Sequence, residues 1–371
     1  MASSVSIVIP TWNGLDLLKQ FLQSVIAAAT HYSRLSNAPA EIIIVDDGSD
    51  DKTIDWLLAQ GFSSRISNEP APALTLRYIR NETNRGFGES CNRGFEAASS
   101  RLVLLLNNDV ALAEDAIAPL VENFKDPALF AAHCRVFELE SGRECGTGKL
   151  GSFARGFIRV HRSYAALNDA SVTPGEAHSK DGSSLYSMFA GGGSAMFDRE
   201  KLNSIGAFDA LLSPFYWEDV ELSYRAWKRG YAVNYEPRSL ARHRVSSTIG
   251  RLNRRRVQII QQRNRLIYHW IHLHDGRMLA SHVLWVLLLA ITAPLRLQPG
   301  FISSCVGALK VFPQILARRR EEKSCSKRSD REVFEIFANL ERRSGLFVYD
   351  DFRDLQRLNR THSSHGAGGK R

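Results

Sequence analysis

Short apolar runs that end abruptly in polar residues recur through the first 125 residues, with helical patterns between them. Residues 102–106 are five consecutive apolar residues, which suits a parallel strand buried on both faces. Residues 5–9, 41–45 and 74–79 predict three further strands, and Leu17 to Ile26 carry one apolar stripe at helical spacing. This alternation of strands and helices predicts an α/β fold with a doubly wound, mainly parallel sheet and helices on both faces.

Polar residues with possible chemistry follow these strands at their carboxyl ends. Asp46 and Asp47 come after the second strand, Arg85 and Gly86 follow the third, and Asp109 follows the central one. Open α/β sheets bind ligands at this edge, so Asp109 is the first candidate site residue. A strand-ending turn explains Asp109 equally well, because Asn and Asp favour local hydrogen bonds there.

The second half of the chain has a different pattern. Residues 138–187 show little periodicity and predict a long excursion that could carry a substrate-binding loop. Residues 191–193 are three glycines, which suit either a close backbone approach to a ligand or close packing alone. Glu218 and Asp219 open a predicted helix that Gly230 ends, and two acids in a first turn also suit the helix dipole without any function.

Charge divides the 371 residues into an acidic body and a basic tail. From Arg238 onward there are 26 Lys and Arg against 10 Asp and Glu, whereas the preceding residues carry 22 against 29. A basic amphipathic helix is predicted after Arg254, and 278–295 is a run of eighteen residues without a charge. Such asymmetry predicts an anionic partner for the tail, either a membrane surface or nucleic acid.

The cysteines and the N-terminus indicate the compartment. Five cysteines are odd in number and scattered, so the sequence predicts neither a disulfide framework nor a zinc site and favours a reducing compartment. The N-terminus has no basic leader and no long apolar core, so no signal peptide is expected.

Taken together, these stretches resemble the family 2 inverting nucleotide-sugar glycosyltransferases of the GT-A fold, and most closely their bacterial rhamnosyltransferase-like branch. The resemblance covers about residues 5–248, two thirds of the chain. The matching residues are SIVIPTWNG, EIIIVDDGSDD, NRGFGESCNRG, LLLNNDV, GGGSAMF, FYWEDVELSYRAWKRGY, and His243 with Ser246 and Ser247.

The resemblance implies a role for each matching position. It places a donor-nucleotide pocket at Pro10, Thr11, Asn13, Asp46, Asp47, Arg85, Gly86 and Asn108. It places a donor and acceptor loop at Gly192, Gly193 and Trp217, and a Mg²⁺ or Mn²⁺ site at Asp109 and His243. Asp219, beside Glu218, would be the general base. A cation offsets the charge that develops on a leaving diphosphate, and a carboxylate on the opposite side takes the acceptor proton.

Two positions depart from the family pattern. Asn107 stands where the metal motif often begins with Asp, which removes one charged ligand and leaves metal dependence open. Gln262 and Arg265 match the spacing of the Gln-x-x-Arg-Trp motif of processive synthases, but Leu266 replaces the Trp. A processive polymerase is therefore not expected.

The resulting hypothesis is a GT-A catalytic domain at 1–250, a basic, helical, membrane-associated region at 251–345, and a tail at 346–371 that is disordered at its end. The enzyme would move a sugar, with rhamnose as the leading guess, from a dTDP or UDP donor to a hydroxyl of a cell-surface or lipid-linked glycan. A polyprenyl-diphosphate-linked acceptor fits a protein attached to the cytoplasmic face of the plasma membrane by a surface contact or a re-entrant hairpin. One true span and a soluble helical C-terminal region are the alternatives for this attachment.

Two other functions remain as alternatives. A nucleotidyltransferase that makes sugar nucleotides would need a Gly-rich, basic triphosphate loop after the first strand, and TWNGLD has neither feature. A non-enzymatic nucleic-acid-binding protein would need stacking aromatics among the arginines, and Tyr268 and Trp270 are the only nearby candidates. No nucleic-acid partner is expected.

Overall fold

The four N-terminal apolar runs form adjacent parallel strands in a computed structural model of the protein. Its described residues are 3–64, 73–166, 184–244, 253–295 and 299–350. The four strands are β1 (Val5–Thr11), β2 (Ala40–Asp46), β3 (Leu74–Arg80) and β4 (Leu102–Leu106). Every residue of β1, β2 and β4 is buried, which confirms the prediction from their continuous apolar character.

Helices connect these strands and cover the sheet. They are α1 (Leu15–Ser36), α2 (Thr53–Ala59), α3 (Phe87–Ala97) and α4 (Ile117–Asn123). The predicted stripe of α1 is buried at Leu18, Phe21, Leu22 and Val25, at helical spacing. The strand-loop-helix units therefore direct the loops after β1, β2 and β3 to one edge of the sheet.

Later segments of the chain add strands of both directions to this sheet. They are β5 (Val110–Leu112), β6 (Leu129–Glu138), β7 (Glu144–Gly146), β12 (Ser194–Asp198) and β13 (Ala232–His243). The order is β3-β2-β1-β4-β12-β6-β13-β5, and β7 pairs with β6. Because β12 runs antiparallel to both β4 and β6, the sheet is mixed rather than uniformly parallel.

The excursion predicted at 138–187 contains short strands around its undescribed middle. They are β7, β8 (Gly148–Lys149), β9 (Ser152–Ala154), β10 (Phe157–Arg159) and β11 (Ser163–Ala166). The β9–β10 pair is a small hairpin, and β11 pairs with β8 and with β14 (Leu346–Tyr349).

Seven helices of the described chain lie beyond β12. They are α5 (Arg199–Ile205), α6 (Glu218–Lys228), α7 (Arg254–His272), α8 (Gly276–Thr292), α9 (Pro299–Leu309), α10 (Phe312–Cys325) and α11 (Asp330–Glu341). Val333, Phe337 and Leu340 of α11 belong to the same apolar core as the sheet. The domain boundary near 250 stays a prediction, because residues 245–252 lie outside the described residues, as do Ser246, Ser247 and the tail at 361–371.

The uncharged run at 278–295 mostly forms α8. Among the described helices, none is by itself long and apolar enough to cross a bilayer, and α9 with α10 qualifies only as a pair bent by 67°. Leu284 and Ile291 of α8 are 67% and 74% exposed. This part of the helical region therefore has an apolar surface that the described chain does not cover.

Candidate active site

The predicted nucleotide residues occupy the loops at the carboxyl ends of β1, β2 and β4. Asn108 Nδ2 donates to Thr11 Oγ1 at 2.8 Å, just beyond the buried Pro10. The Asn13 amide donates to Ser49 Oγ at 2.8 Å, and Asn13 adopts a left-handed backbone with φ 47°. These contacts join three loops that are distant in sequence into one cradle.

Asp46 is fully buried at the end of β2. Its Oδ1 accepts from the Ser49 amide at 3.2 Å, and its Oδ2 lies 3.4 Å from Nε of Arg80. Burial raises the pKa of Asp46, and the hydrogen bonds from Ser49 and the charge of Arg80 offset only part of this increase. Within the described chain, Oδ2 has the ion-pair contact with Arg80 but no hydrogen-bond partner, so it can still accept a hydrogen bond from a ligand.

Asp47 holds the loop after β3 rather than facing open space. It accepts hydrogen bonds from the amides of Arg85 and Gly86, at 2.8 and 2.9 Å, and from Asn81 Nδ2 at 2.7 Å. The guanidinium of Arg85 itself is 54% exposed and reaches Glu89 only at 3.5 Å. Asp47 therefore positions Arg85, and the Arg85 side chain remains available for an anion.

Asp109 and His243 come together because β5 pairs with β13. The register places Val110 opposite His243, and His243 Nε2 lies 3.0 Å from Asp109 Oδ1. Burial alone would lower the pKa of His243, but Asp109 and the nearby Cys145 raise it to about 9. The amide of Arg244 also donates to the Asp109 carbonyl, which fixes the turn.

Asp109 and His243 fit a divalent cation when the imidazole has given up its proton, because a protonated ring cannot bind a metal. Oδ1 of Asp109 is buried without a well-aligned hydrogen bond, and so is Oδ1 of Asn107 two residues earlier. One carboxylate, one imidazole and an amide oxygen are ligand types that Mn²⁺ accepts. No group of three His, Cys, Asp or Glu suited to a metal occurs in the parts of the chain that the structure describes. A cation there would thus depend on the donor's oxygens or water for its remaining ligands.

Asp219 begins α6 and is fixed by backbone amides. Its Oδ2 accepts from Gly192 at 3.2 Å and its Oδ1 from Val220 at 2.8 Å, and burial raises its pKa against these hydrogen bonds. A methyl group added at Gly193 would lie only 2.9 Å from Nδ2 of Asn107. The glycine segment therefore connects Asp219 directly to the turn that carries Asp109.

Glu218 lies beside Asp219 without a compensating cation. Its Oε2 is buried and has no hydrogen-bond partner among the residues described. Burial, and then the neighbouring Asp219, raise the pKa of Glu218 to about 8. Because the two carboxyl groups are adjacent and partly shielded from solvent, ionising both together is unfavourable.

A further positioning residue, Asn264 of α7, could not be identified from the motif. Its Nδ2 donates to the carbonyls of Phe215 and Tyr216, at 2.9 and 3.0 Å, just before Glu218 and Asp219. Arg265 lies 5.8 Å from the ring of Trp217, which caps α6 and faces α7 rather than the glycine segment. The available signal was an Asn on the apolar face of a helix, since Asn264 is fully buried.

Comparisons with known proteins identify a family and several relatives of this chain. The family model described as "Glycosyl transferase family 2" matches residues 6–202. Poly-beta-1,6-N-acetyl-D-glucosamine synthase of Staphylococcus aureus (strain MSSA476) is 24% identical over 258 residues, which are 69% of this chain and 54% of that protein. Its counterpart from Staphylococcus epidermidis is 26% identical over 261 residues, with the same coverage. The chain spans about half the length of these relatives.

A solved structure shows the same fold. The crystal structure of GalNAc-T7 with UDP, GalNAc and Mn²⁺ superimposes with a TM-score of 0.53 at 20% identity. The match covers 74% of this chain and 49% of that one. At this identity the likeness concerns the fold, in which a mixed, partly parallel sheet carries the site at its strand ends.

Proposed function

The chain belongs to glycosyltransferase family 2 and is an inverting enzyme of the GT-A type, and on that premise we propose that it transfers one sugar from a nucleoside diphosphate to a hydroxyl of a cell-surface or lipid-linked glycan. The observation that carries the proposal is the junction of Gly193 with Asn107. It sets the base Asp219 beside the turn that holds Asp109.

Each group of residues has one task in this reaction. Asp46 Oδ2 accepts from the base of the nucleotide, and Arg85 binds its phosphates. A divalent cation, when bound by Asp109 and His243, supplies positive charge to the leaving diphosphate. Asp219, held by the Gly192 amide, takes the proton of the acceptor hydroxyl while that oxygen attacks the anomeric carbon. The new bond forms opposite the departing phosphate, so the configuration inverts.

The donor is proposed to be dTDP-rhamnose, with UDP-sugars as the next candidates. Thymine and uracil present the same ring N–H to an acceptor such as Asp46 Oδ2, so this contact selects for both bases together. The synthases that this chain resembles are named for N-acetyl-D-glucosamine, and GalNAc-T7 was crystallised with UDP and GalNAc. UDP-N-acetylhexosamines therefore belong beside dTDP-rhamnose in any test.

The test is thermal stabilisation of the purified protein by these nucleotide sugars, with and without Mn²⁺. A donor at a hundred times its Kd should add about 2.7 kcal/mol to the free energy of unfolding, and Mn²⁺ should increase the shift. Asp109→Asn should remove the Mn²⁺-dependent part, whereas Asp16→Asn on an exposed turn of α1 should not. Failure of every nucleotide sugar to stabilise the protein would contradict the proposal. An effect of neither Mn²⁺ nor Asp109→Asn would exclude the cation role.

We also propose that the enzyme attaches to the cytoplasmic face of the plasma membrane through residues 250–320, where a polyprenyl-diphosphate-linked acceptor would reside. Large exposed apolar side chains concentrate on α8, α9 and the start of α10. They are Val283, Leu284, Leu287, Leu288, Ile291, Leu295, Ile302, Val306, Leu309 and Phe312. The exposed Arg254, Arg255 and Arg256 at the start of α7 would add attraction to anionic lipid.

Flotation with vesicles of anionic and neutral lipid tests this attachment. The full chain should float with anionic vesicles, and part of it should stay bound at high salt because apolar burial supplements charge. Ile291→Glu should weaken binding, while Leu35→Glu, at a 70% exposed site on α1, should not. Equal flotation of the two variants, or none for the wild type, would refute the surface.

A further inference from the structure

A cavity of about 300 Å³ lies beside the catalytic pair, between the start of α3 and the segment 208–215. It is distinct from the nucleotide cradle, because Pro10, Asn13, Asp46 and Asn108 do not line it. Arg85, which the proposed donor pocket also uses, and Glu218 both line it. The cavity is thus next to the reacting groups without being part of the nucleotide pocket.

The lining combines aromatic faces with polar groups. Phe208, Pro214 and Phe215 supply apolar surface, and Ser213, Glu89 and Glu218 supply oxygens. Glu218 matters most, because its Oε2 is buried without a partner anywhere in the described chain. Asn92 is already satisfied, since it both donates to and accepts from the backbone of Phe208, at 2.8 and 2.9 Å. A ligand here needs an apolar face and several hydroxyl groups along its edge.

We propose that this cavity binds one pyranose ring of the acceptor glycan, with Glu218 hydrogen-bonded to a ring hydroxyl. The inference rests on the proposed function and adds the substrate class and the location of the acceptor. The volume of about 300 Å³ lies at the lower end of the range for ligand pockets, which suits a single sugar ring. A Glu218 that keeps its proton at neutral pH donates to a hydroxyl, and Asp219 remains the acceptor of the reacting proton.

Gly88 offers a way to fill the cavity without disturbing the fold. It lies in α3 and lines the cavity, and a Cβ added there would meet only Cβ of Phe208, at an ordinary 3.5 Å. Because Leu favours helix more than Gly does, Gly88→Leu should preserve α3 while its side chain occupies the cavity. Glu96→Leu is the matched control, since Glu96 is exposed on the same helix and does not line the cavity.

The experiment is saturation-transfer NMR with the methyl glycosides of N-acetylglucosamine, mannose and rhamnose, in the presence of UDP or dTDP and Mn²⁺. At least one glycoside should bind the wild type and Glu96→Leu equally. It should bind Gly88→Leu at least tenfold more weakly. Phe215→Leu, which removes an aromatic face from the opposite wall, is the second variant and should also weaken binding. Stabilisation by nucleotide sugar should be the same in all four proteins.

Three results would overturn the inference. They are no binding of any glycoside to the wild type, undiminished binding to both cavity variants, and weaker binding of nucleotide sugar but not of free nucleotide to Gly88→Leu. The last result would assign the cavity to the donor's sugar. The parallel stabilisation assay separates these failures from failure of the proposed function, in which no nucleotide sugar stabilises even the wild type.

Discussion

The first turn of α6 carries two acidic sites in contrasting surroundings, which are the adjacent pair Glu218 and Asp219 and the single residue Glu221. Glu218 and Asp219 have no ion-pair partner among the described residues, and the pKa of each is raised, mainly by desolvation. Glu221 is bonded to Arg225 and His272, each at 2.7 Å, and its pKa falls to about 2 although burial alone would raise it. Desolvation acts on all three acids, so the bonded partners are what distinguish Glu221 from the adjacent pair.

Glu221 is part of a structural network. Its partner Arg225 is fully buried and donates also to the carbonyls of Ile205 and Ala207, each at 2.6 Å, which fixes the chain after α5. His272 links Glu221 to α7. A buried carboxylate with this many partners stabilises the position of α6, whereas Glu218 and Asp219 have no such network.

The largest expected effect is on turnover and concerns Asp219. Asp219→Asn should lower turnover by roughly 10⁴-fold, because the acceptor hydroxyl loses its base. The fold and donor binding should persist, since the amide oxygen of Asn still accepts from Gly192. Sugar transfer and thermal unfolding measured on the same protein would check this, and near-normal turnover would exclude Asp219 as the base.

The next effect is on stability and concerns the ion pair of Glu221 with Arg225. Arg225→Met should lower the free energy of unfolding by roughly 3–5 kcal/mol, because Glu221 would stay buried with an incomplete ion pair. Arg331→Met is the control, since Arg331 is 58% exposed and its pair with Asp275 should contribute less than about 1 kcal/mol. Urea unfolding measures both, and equal losses would mean that the buried network is not what fixes α6.

Glu218 and Glu221 should change the free energy of unfolding with pH in opposite directions. The pKa of Glu218 is raised from 4.5 to about 8, so its contribution is intact below pH 4.5 and is lost as the pH rises toward 8. Between pH 4.5 and 8, the free energy of unfolding of Glu218→Gln should therefore rise relative to that of the wild type, by at most about 1.4 kcal/mol per pH unit. Above pH 8 the difference should be constant.

Glu221→Gln is the matched variant for that experiment. The pKa of Glu221 is lowered from 4.5 to about 2, so its contribution is present above pH 4.5 and is lost as the pH falls through 2. The variant should be less stable than the wild type at pH 7, and the deficit should shrink below pH 4.5. Thermal unfolding at a series of pH values measures the stability of each variant relative to the wild type. If this difference changes with pH in the same direction for Glu218→Gln and Glu221→Gln, the contrast between the two acids is wrong.

The smallest effect concerns how the first turn is held. Asn264→Leu removes the donor to the Phe215 and Tyr216 carbonyls and should cost roughly 1–3 kcal/mol of stability. Because the catalytic pair follows directly, kcat should fall about tenfold while the donor KM stays unchanged. A change in donor KM with constant kcat would mean that Asn264 does not position this turn.

The parallel half of the sheet could be predicted well from sequence, whereas the far edge could not. The run at 102–106 coincides with β4 because a doubly buried strand needs only continuous apolar residues. β13 continues as far as His243. Pro237 and Arg238 interrupt its apolar pattern, and a register shift between Glu236 and Leu240 absorbs them, so the strand continues past residues that read as its end.

In the candidate site, too, the sequence identified residues near strand ends but not those that the tertiary fold brings in from a distance. The acids and glycines at strand ends were identified because their positions are set by neighbouring residues in the chain. The contribution of α7 was missed because Asn264 interrupts the apolar face of a basic helix and Arg265 was considered only for its match to a family motif. Their partners are carbonyls before α6 and the ring of Phe157, 4.2 Å from Arg265, and only the tertiary fold brings these together.

The pairing of β5 with β13 also sets the order in which a growing chain acquires its parts. Every residue of the nucleotide cradle is synthesised by the time Val110 is made, but the strand that brings His243 to Asp109 comes much later. Because N-terminal segments fold first during translation, the nucleotide loops can form before Asp109 meets His243. In the proposed mechanism, transfer then waits until β13 has joined the sheet.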